Sequence, residues 1–253
     1  QAIVAAIGFV GGPETVGTLL RALESSDRAL LGEAVVSLGR LAERVPIEGA
    51  EREAAVAALL ARFRDRSAEA AAPRDALLRA MARLGDARFA PAMIEALSTR
   101  EAPAVRQAAA RGIAALAEAK PGTASAPASV VDRRAALAAQ GVDVDALASA
   151  VMEAVSDADP GVRKAATDAL TAFASTEAHL LTLWGRISAS TEPDEAVREA
   201  AWKGCLRLLA ARPATEIDAW IARLADTGPV RARRTIDLLQ LMERVLIAQG
   251  DGA

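Results

Sequence analysis

Tyrosine is absent from this chain, and four phenylalanines and three tryptophans are its whole aromatic complement. A core built on large rings is therefore excluded. The single cysteine, Cys205, cannot close an intramolecular disulfide, and with the lone histidine, His179, it cannot assemble a Cys/His zinc site. It leaves the compartment open, with the cytoplasm favoured. No apolar run reaches the roughly 18 residues that a membrane helix needs. The opening Gln1-Ala-Ile-Val-Ala-Ala-Ile-Gly has neither a basic leader region nor an initiator methionine, so the chain is expected to begin inside a longer protein. A strong basic excess is missing as well: the net charge is −3 and the isoelectric point about 5.4, which disfavours a surface devoted to tracking phosphates. Gly-Lys-Ser/Thr, Gly-x-Ser-x-Gly, His-Glu-x-x-His and dinucleotide fingerprints are all lacking, which removes the usual local signatures of catalysis.

What the chain does have is alanine, roughly a quarter of its 253 residues, within a hydrophobic fraction of 52%. Ala, Leu, Arg and Glu are strong helix formers, while the aromatic and β-branched runs that favour strands are scarce. The expected class is all-α, made of thin helices packed closely. Lysine occurs only as Lys120, Lys164 and Lys203 among 30 basic residues, a preference for arginine that we read as the codon usage of a GC-rich genome.

One block recurs. Pro160-Gly-Val-Arg-Lys-Ala-Ala-Thr-Asp-Ala-Leu170 returns, eroded, from Pro103, from Pro193 with Ala196-Val-Arg-Glu-Ala-Ala-Trp-Lys-Gly-Cys-Leu206, and from Pro229. Arg163, Arg198 and Arg231 are spaced by 35 and 33 residues, the period of a repeat made of two short helices. Second helices are expected over Leu30…Leu38, Arg74…Met81, Val105…Ile113, Val162…Leu170, Val197…Cys205 and Val230…Leu238. First helices are expected at Thr15–Leu23, Glu53–Phe63, Phe89–Leu97, Val144–Val155, Ala178–Ile187 and Glu216–Leu224, where apolar residues step by three and four. Prolines 73, 103, 160, 193 and 229 stand at or near second-helix starts, where a missing N–H costs little, and Asp159 suits an N-cap.

Asp157-Ala-Asp-Pro-Gly-Val-Arg-Lys-Ala-Ala and its copies resemble the HEAT repeat family, including the bacterial repeats first noticed in phycobilin lyases. The resemblance spans the whole chain and is weakest in the first two repeats. It implies a right-handed α-solenoid (an α-α superhelix, armadillo-like) of about six helix pairs plus a leading half pair at Gln1–Phe9, running as one unit over residues 1–253. It also implies that a turn aspartate and the Val-Arg arginine link neighbouring repeats, which assigns Asp157, Arg106, Arg163 and Arg198 to a structural ladder. Leu30-Leu31 and Pro73-Arg74 depart from Val-Arg, so the ladder is expected to break toward the N-terminus. No single pair buries enough apolar area to fold alone, so stability must come from stacking.

Two features interrupt this regularity. Arg106 and Arg163 lie 57 residues apart, and the excess, residues 119–142, holds the loop-like Lys120-Pro-Gly-Thr-Ala-Ser-Ala-Pro-Ala-Ser129. Val130 to Gln140 follows, with Val130, Arg133, Arg134 and Leu137 placed for a short extra helix against the rod. The last helix is apolar around much of its circumference through Ile236, Leu238, Leu239, Leu241, Met242, Val245, Leu246 and Ile247. Each end is expected to meet something, whether a further repeat, another domain or a second copy in an end-to-end or homodimeric contact.

Function is then expected on the rod's surfaces. Cys205 falls at a core leucine position and His179 near a first-helix start, so the one reads as a buried thiol and the other as a surface or capping residue. Trp184 and Trp220 read as core. Trp202 aligns with Thr167, a position expected to face outward along the concave second-helix layer, beside Lys203, Asp168, Arg111 and Arg79. That set is the candidate partner-binding groove, aromatic and arginine anchors being what protein interfaces favour. The leading expectation is a non-catalytic scaffold that binds a protein or peptide there, with no cofactor and no metal. One alternative is a HEAT-like DNA glycosylase, with Trp202, Arg198 and Asp168 supplying aromatic, phosphate and carboxylate contacts. Another is a bilin lyase or its partner, against which stands the lack of cysteine or histidine in the groove.

Overall fold

A computed structural model describes residues 1–65, 72–118, 130–226 and 231–250. The described residues form helices and no strand. Helix α1 (Ala2–Val10) leads, and six pairs follow: α2 (Val16–Leu23) with α3 (Arg28–Arg44), α4 (Gly49–Arg64) with α5 (Arg74–Leu84), and α6 (Ala90–Ala96) with α7 (Pro103–Glu118). After the extra helix α8 (Val130–Ala139) come α9 (Val144–Ala154) with α10 (Pro160–Phe173), α11 (Glu177–Trp184) with α12 (Glu195–Ala210), and α13 (Ala214–Asp226) with α14 (Arg231–Gly250). Six pairs and a leading half pair agree with the sequence. Lys120 to Ser129, Pro229 and Val230 lie outside the described residues, as do the side chains of Val130, Ile236 and Leu239.

Local chemistry sets the helix starts. Asp27, Asp143, Asp159 and Asp194 each accept a hydrogen bond from a first-turn N–H of α3, α9, α10 and α12, supplying an acceptor for donors that the helix leaves orphaned. Pro103 and Pro160 occupy first helical positions, where their fixed φ is already helical. Gly85 ends α5 at φ +62° and Gly141 follows α8 at φ +82°, left-handed conformations that other residues adopt only under strain.

The helices stack in two layers. The second helices α1, α3, α5, α7, α10, α12 and α14 pack each on the next in one continuous row, while the first helices α2, α4, α6, α9, α11 and α13 touch along their row far more sparsely. Small residues bring the second helices together. A Cβ added to Gly8 would lie 2.8 Å from the Ser37 Cα, and one added to Gly39 would lie 3.0 Å from the Ala80 Cα. Ala109, Ala110, Ala166 and Ala169 are fully buried in the same row. Closer approach on one side bends the stack toward it, so the second-helix layer lines the inside of the curve.

Between the layers runs a core of Leu, Val and Ala, including Leu19, Leu31, Leu38, Leu59, Leu77, Leu147, Leu170 and Leu209, all fully or almost fully buried. Phe63, Phe89 and Phe173 fill its widest points. Each such buried Leu or Phe side chain supplies about 2 kcal/mol of transfer free energy. The fourth phenylalanine, Phe9, is 61% exposed on α1, with the Arg40 guanidinium 4.4 Å from its ring centroid. Helix α8 packs across α7 and α10 and touches α9, extending the rod's edge without displacing the pairs.

Candidate functional site

An arginine near the start of successive second helices fixes the repeats to one another. Arg106 donates from Nε and Nη2 to both carboxylate oxygens of Asp157, each at 2.7 Å, spanning α7 to the turn before α10. Arg163 does the same to Glu192 at 2.7 Å twice, and its Nη1 also donates to the carbonyls of Asp157 and Ala158 at 3.0 Å. Glu192 is wholly buried, and Arg186 approaches it at 3.6 Å. Such two-pronged pairs match the planar fork of guanidinium to carboxylate. Burial pushes the Asp157 and Glu192 carboxyls up, but arginine donors and backbone N–H groups outweigh it and hold both below their ordinary values.

The ladder starts one repeat earlier than the sequence suggests. Arg74, read above as a departure, reaches Glu101 of the following turn at 3.1 Å, donates to the Phe63 carbonyl at 2.6 Å and stacks 3.8 Å from the Phe63 ring centroid. Leu31 takes the arginine's place in α3 and is fully buried, so the ladder is broken at that boundary. Arg198 donates to the carbonyls of Glu192 and Pro193 in its own turn, at 2.9 and 2.7 Å. Glu101 and Glu192 were missed in the sequence because a glutamate there replaces the expected aspartate.

Relative to these arginines, the residues one and five positions onward form one solvent-facing stripe per helix: Asp75 and Arg79 on α5; Gln107 and Arg111 on α7; Lys164 and Asp168 on α10; Glu199 and Lys203 on α12; nine positions onward Arg83 is exposed, Ala115 and Arg207 are half-buried and Ala172 is buried. This spacing follows the helical period of about four residues. Three stripes carry an i,i+4 ion pair: Asp75–Arg79 at 2.8 Å, Lys164–Asp168 at 2.7 Å and Glu199–Lys203 at 2.6 Å. On α7 the partner position holds Gln107, and Arg111 stands exposed without an ion pair among the described residues. Arg79, Arg111, Asp168 and Lys203 thus lie at one level of the inner face, on four successive second helices.

Trp202 does not join them. It was expected to face outward because it aligns with Thr167, yet Thr167 is fully buried, its hydroxyl donating to the Arg163 carbonyl at 2.8 Å. Ala110, at the matching place in α7, is fully buried too. Four residues after the ladder arginine, a side chain points into the packing between helices. Trp202 is half-buried against the core, and the Arg244 guanidinium of α14 lies 5.9 Å from its ring centroid. Trp184 is 2% exposed and Trp220 is half-buried with the Arg212 guanidinium 4.5 Å from its ring.

His179 is buried, contrary to a surface reading, and it caps. Its Nδ1 accepts from the backbone N–H groups of Ser175 and Thr176 at 3.1 and 3.3 Å while the Thr176 hydroxyl accepts from the His179 N–H at 3.3 Å. Burial, together with the charge of Arg134, holds its pKa below the ordinary value. Cys205 is fully buried and its thiol is pushed far up by desolvation, which leaves it unreactive. No group of three or more His, Cys, Asp or Glu side chains is placed to hold a metal among the described residues, and no described helix is long and apolar enough to cross a membrane. A groove of about 760 Å³ runs beside α6 and α9 of the outer layer, with Ile94, Leu97, Ala150 and Glu153 in its lining.

The whole chain superimposes on known repeat proteins. The fold is that of the HEAT and armadillo solenoids. A computationally designed armadillo repeat protein for modular peptide recognition matches 92% of this chain and 99% of its own, with a TM-score of 0.58 at 15% identity. The archaeal HEAT-like repeats protein of Thermococcus onnurineus NA1 matches 98% of this chain and 97% of its own, with a TM-score of 0.50 at 12% identity. A designed armadillo repeat protein in complex with the peptide (KR)4 gives 0.55 at 15% identity over 92% and 99% of the two chains. No protein-family model and no curated protein matches the sequence. At these identities the likeness is one of architecture, shared by chains whose helix surfaces differ.

Proposed function

We propose that this solenoid is a non-catalytic scaffold whose inner, second-helix face receives a peptide or protein segment. The observation that carries this reading is the open stripe on α5, α7, α10 and α12. On α5, α10 and α12 it carries charged side chains held upright by short i,i+4 pairs and on α7 the exposed Arg111, while most residues beside it are buried between helices. Exposed pairs of that kind add little to stability, about 0.3–0.5 kcal/mol each, so stacking alone does not require them. The architecture shared with designed peptide-recognition proteins supports the same reading. Lys203, Asp168, Arg111 and Arg79 are the proposed contact residues, with Trp202 stiffening the C-terminal end of the face from beneath. A glycosylase site is not favoured, since Arg198 is engaged by its own turn and Trp202 is turned into the packing.

The test is capture from native lysate with three baits: wild type, Lys203→Glu on the inner face and Glu153→Arg on the outer groove. A partner retained by wild type and by Glu153→Arg but lost with Lys203→Glu supports the inner face. Loss with Glu153→Arg alone moves the site to the outer groove and ends this proposal.

A further inference from the structure

Cations without a carboxylate partner gather around one helix of the inner face. Arg111 of α7 has glutamine where the neighbouring stripes have an ionised i−4 partner. Arg207 of α12 is half-buried in the last turn and makes no ion pair among the described residues. Between them, at the matching levels of α7 and α10, stand Ala115 and Ala172. Onto Ala172 α8 brings Arg133, whose Nη1 donates to the Ala172 carbonyl at 3.2 Å. Burial and the like charge of Arg207 push the Arg133 guanidinium below its ordinary value, with Glu118 opposing. Arg111, Arg133 and Arg207, from three different elements, thus have no ion pair among the described residues, and Arg133 and Arg207 lie close enough to repel one another.

Resting on the inner-face reading above, we infer that the surface around α10 binds a carboxylate-rich peptide segment, gripped by Arg111, Arg133 and Arg207. Guanidinium forks suit carboxylates spaced along a peptide, and the short, half-buried Ala115 puts no long side chain in the way of its backbone. Phosphate oxygens share that chemistry. A nucleic-acid backbone, however, presents uninterrupted negative charge, and Asp75, Asp168 and Glu199 are interleaved on the same face, so a peptide with apolar residues between its acids fits better. Arg111 is exposed and Arg207 half-buried, and neither has an ion pair among the described residues, so these two are the positions to replace.

Fluorescence anisotropy tests this with three labelled probes: a twelve-residue Glu-Glu-Leu repeat, its Lys-Lys-Leu counterpart and a twelve-nucleotide oligothymidine. The acidic peptide is expected to bind, the basic one not, and Arg111→Ala and Arg207→Ala each to weaken binding about tenfold with unchanged melting, the scale of one charge-assisted pair. Tighter binding of oligothymidine, no binding of the acidic peptide, or affinity unmoved in both alanine variants overturns the inference. If the basic peptide binds instead and Glu199→Lys abolishes it, the acidic assignment fails while the inner-face reading stands. If acidic binding responds only to Arg52→Ala on the outer layer, both fail.

Discussion

The boundary between α10 and α12 and that between α3 and α5 join the same kind of helices by different means. At the first, Arg163 holds a fully buried glutamate with two 2.7 Å bonds. At the second, a fully buried Leu31 occupies the arginine's place, and Gly39 meets Ala80 almost backbone to backbone. Helix stacking therefore does not require the ion pair. What the pair adds is direction: a planar fork accepts its carboxylate in one register, whereas an apolar contact tolerates sliding.

The largest effect that would separate the two boundaries is removal of one charge. Glu192→Ala leaves Arg163 buried without its carboxylate and is expected to cost about 3–5 kcal/mol in urea unfolding, whereas Arg163→Met combined with Glu192→Leu recovers most of that loss. Failure of the double variant to recover would mean that the pair stabilises the fold beyond its mutual compensation. At the apolar boundary, Gly39→Val forces a side chain against the Ala80 backbone and is expected to cost about 1–3 kcal/mol by overpacking. Gly17, whose added Cβ would meet nothing within 4 Å, is the matched control; equal losses at both positions would refute close packing as the cause.

The smallest effect is a dependence on pH. Asp157, Glu192 and His179 all have folded values below their ordinary ones of 3.8, 4.5 and 6.5. Each therefore favours the folded state when deprotonated. Their contribution is complete above those ordinary values and is lost as pH falls through the folded ones. Since the chain has one histidine, a shallow decline beginning below about pH 6.5 belongs to the cap at Thr176, and a steeper one below about pH 4.5 to the ladder carboxylates together with Glu53, Asp86 and Glu199, which their arginine or lysine partners also hold low. Thermal melts across this range should lose the shallow step, but not the steep one, in His179→Ala.

Period, helix order and the extra helix were legible because the solenoid repeats its local chemistry: aspartate caps, prolines at helix starts and apolar residues at three- and four-residue steps. The ladder was legible only where the turn kept its aspartate. Glu101 and Glu192 escaped because a longer side chain serves the same geometry from the same place, and Arg74 because its neighbour is proline rather than valine. Trp202 was misjudged for a different reason. Sequence alignment transfers a position but not its direction, and Thr167 is polar enough to read as exposed although its hydroxyl is satisfied by the carbonyl one turn back. The stripe of Arg79, Arg111, Asp168 and Lys203 could be aligned in advance; the approach of Arg133 to the same face could not, since it depends on where an inserted helix comes to rest.

The link from Arg106 to Asp157 spans 51 residues, within which the chain makes α8 and returns in register. A joint secured on both sides of an insertion is indifferent to what the insertion contains. Register across α7 and α10 is thus carried by one guanidinium and one carboxylate, and not by the length of chain that separates them.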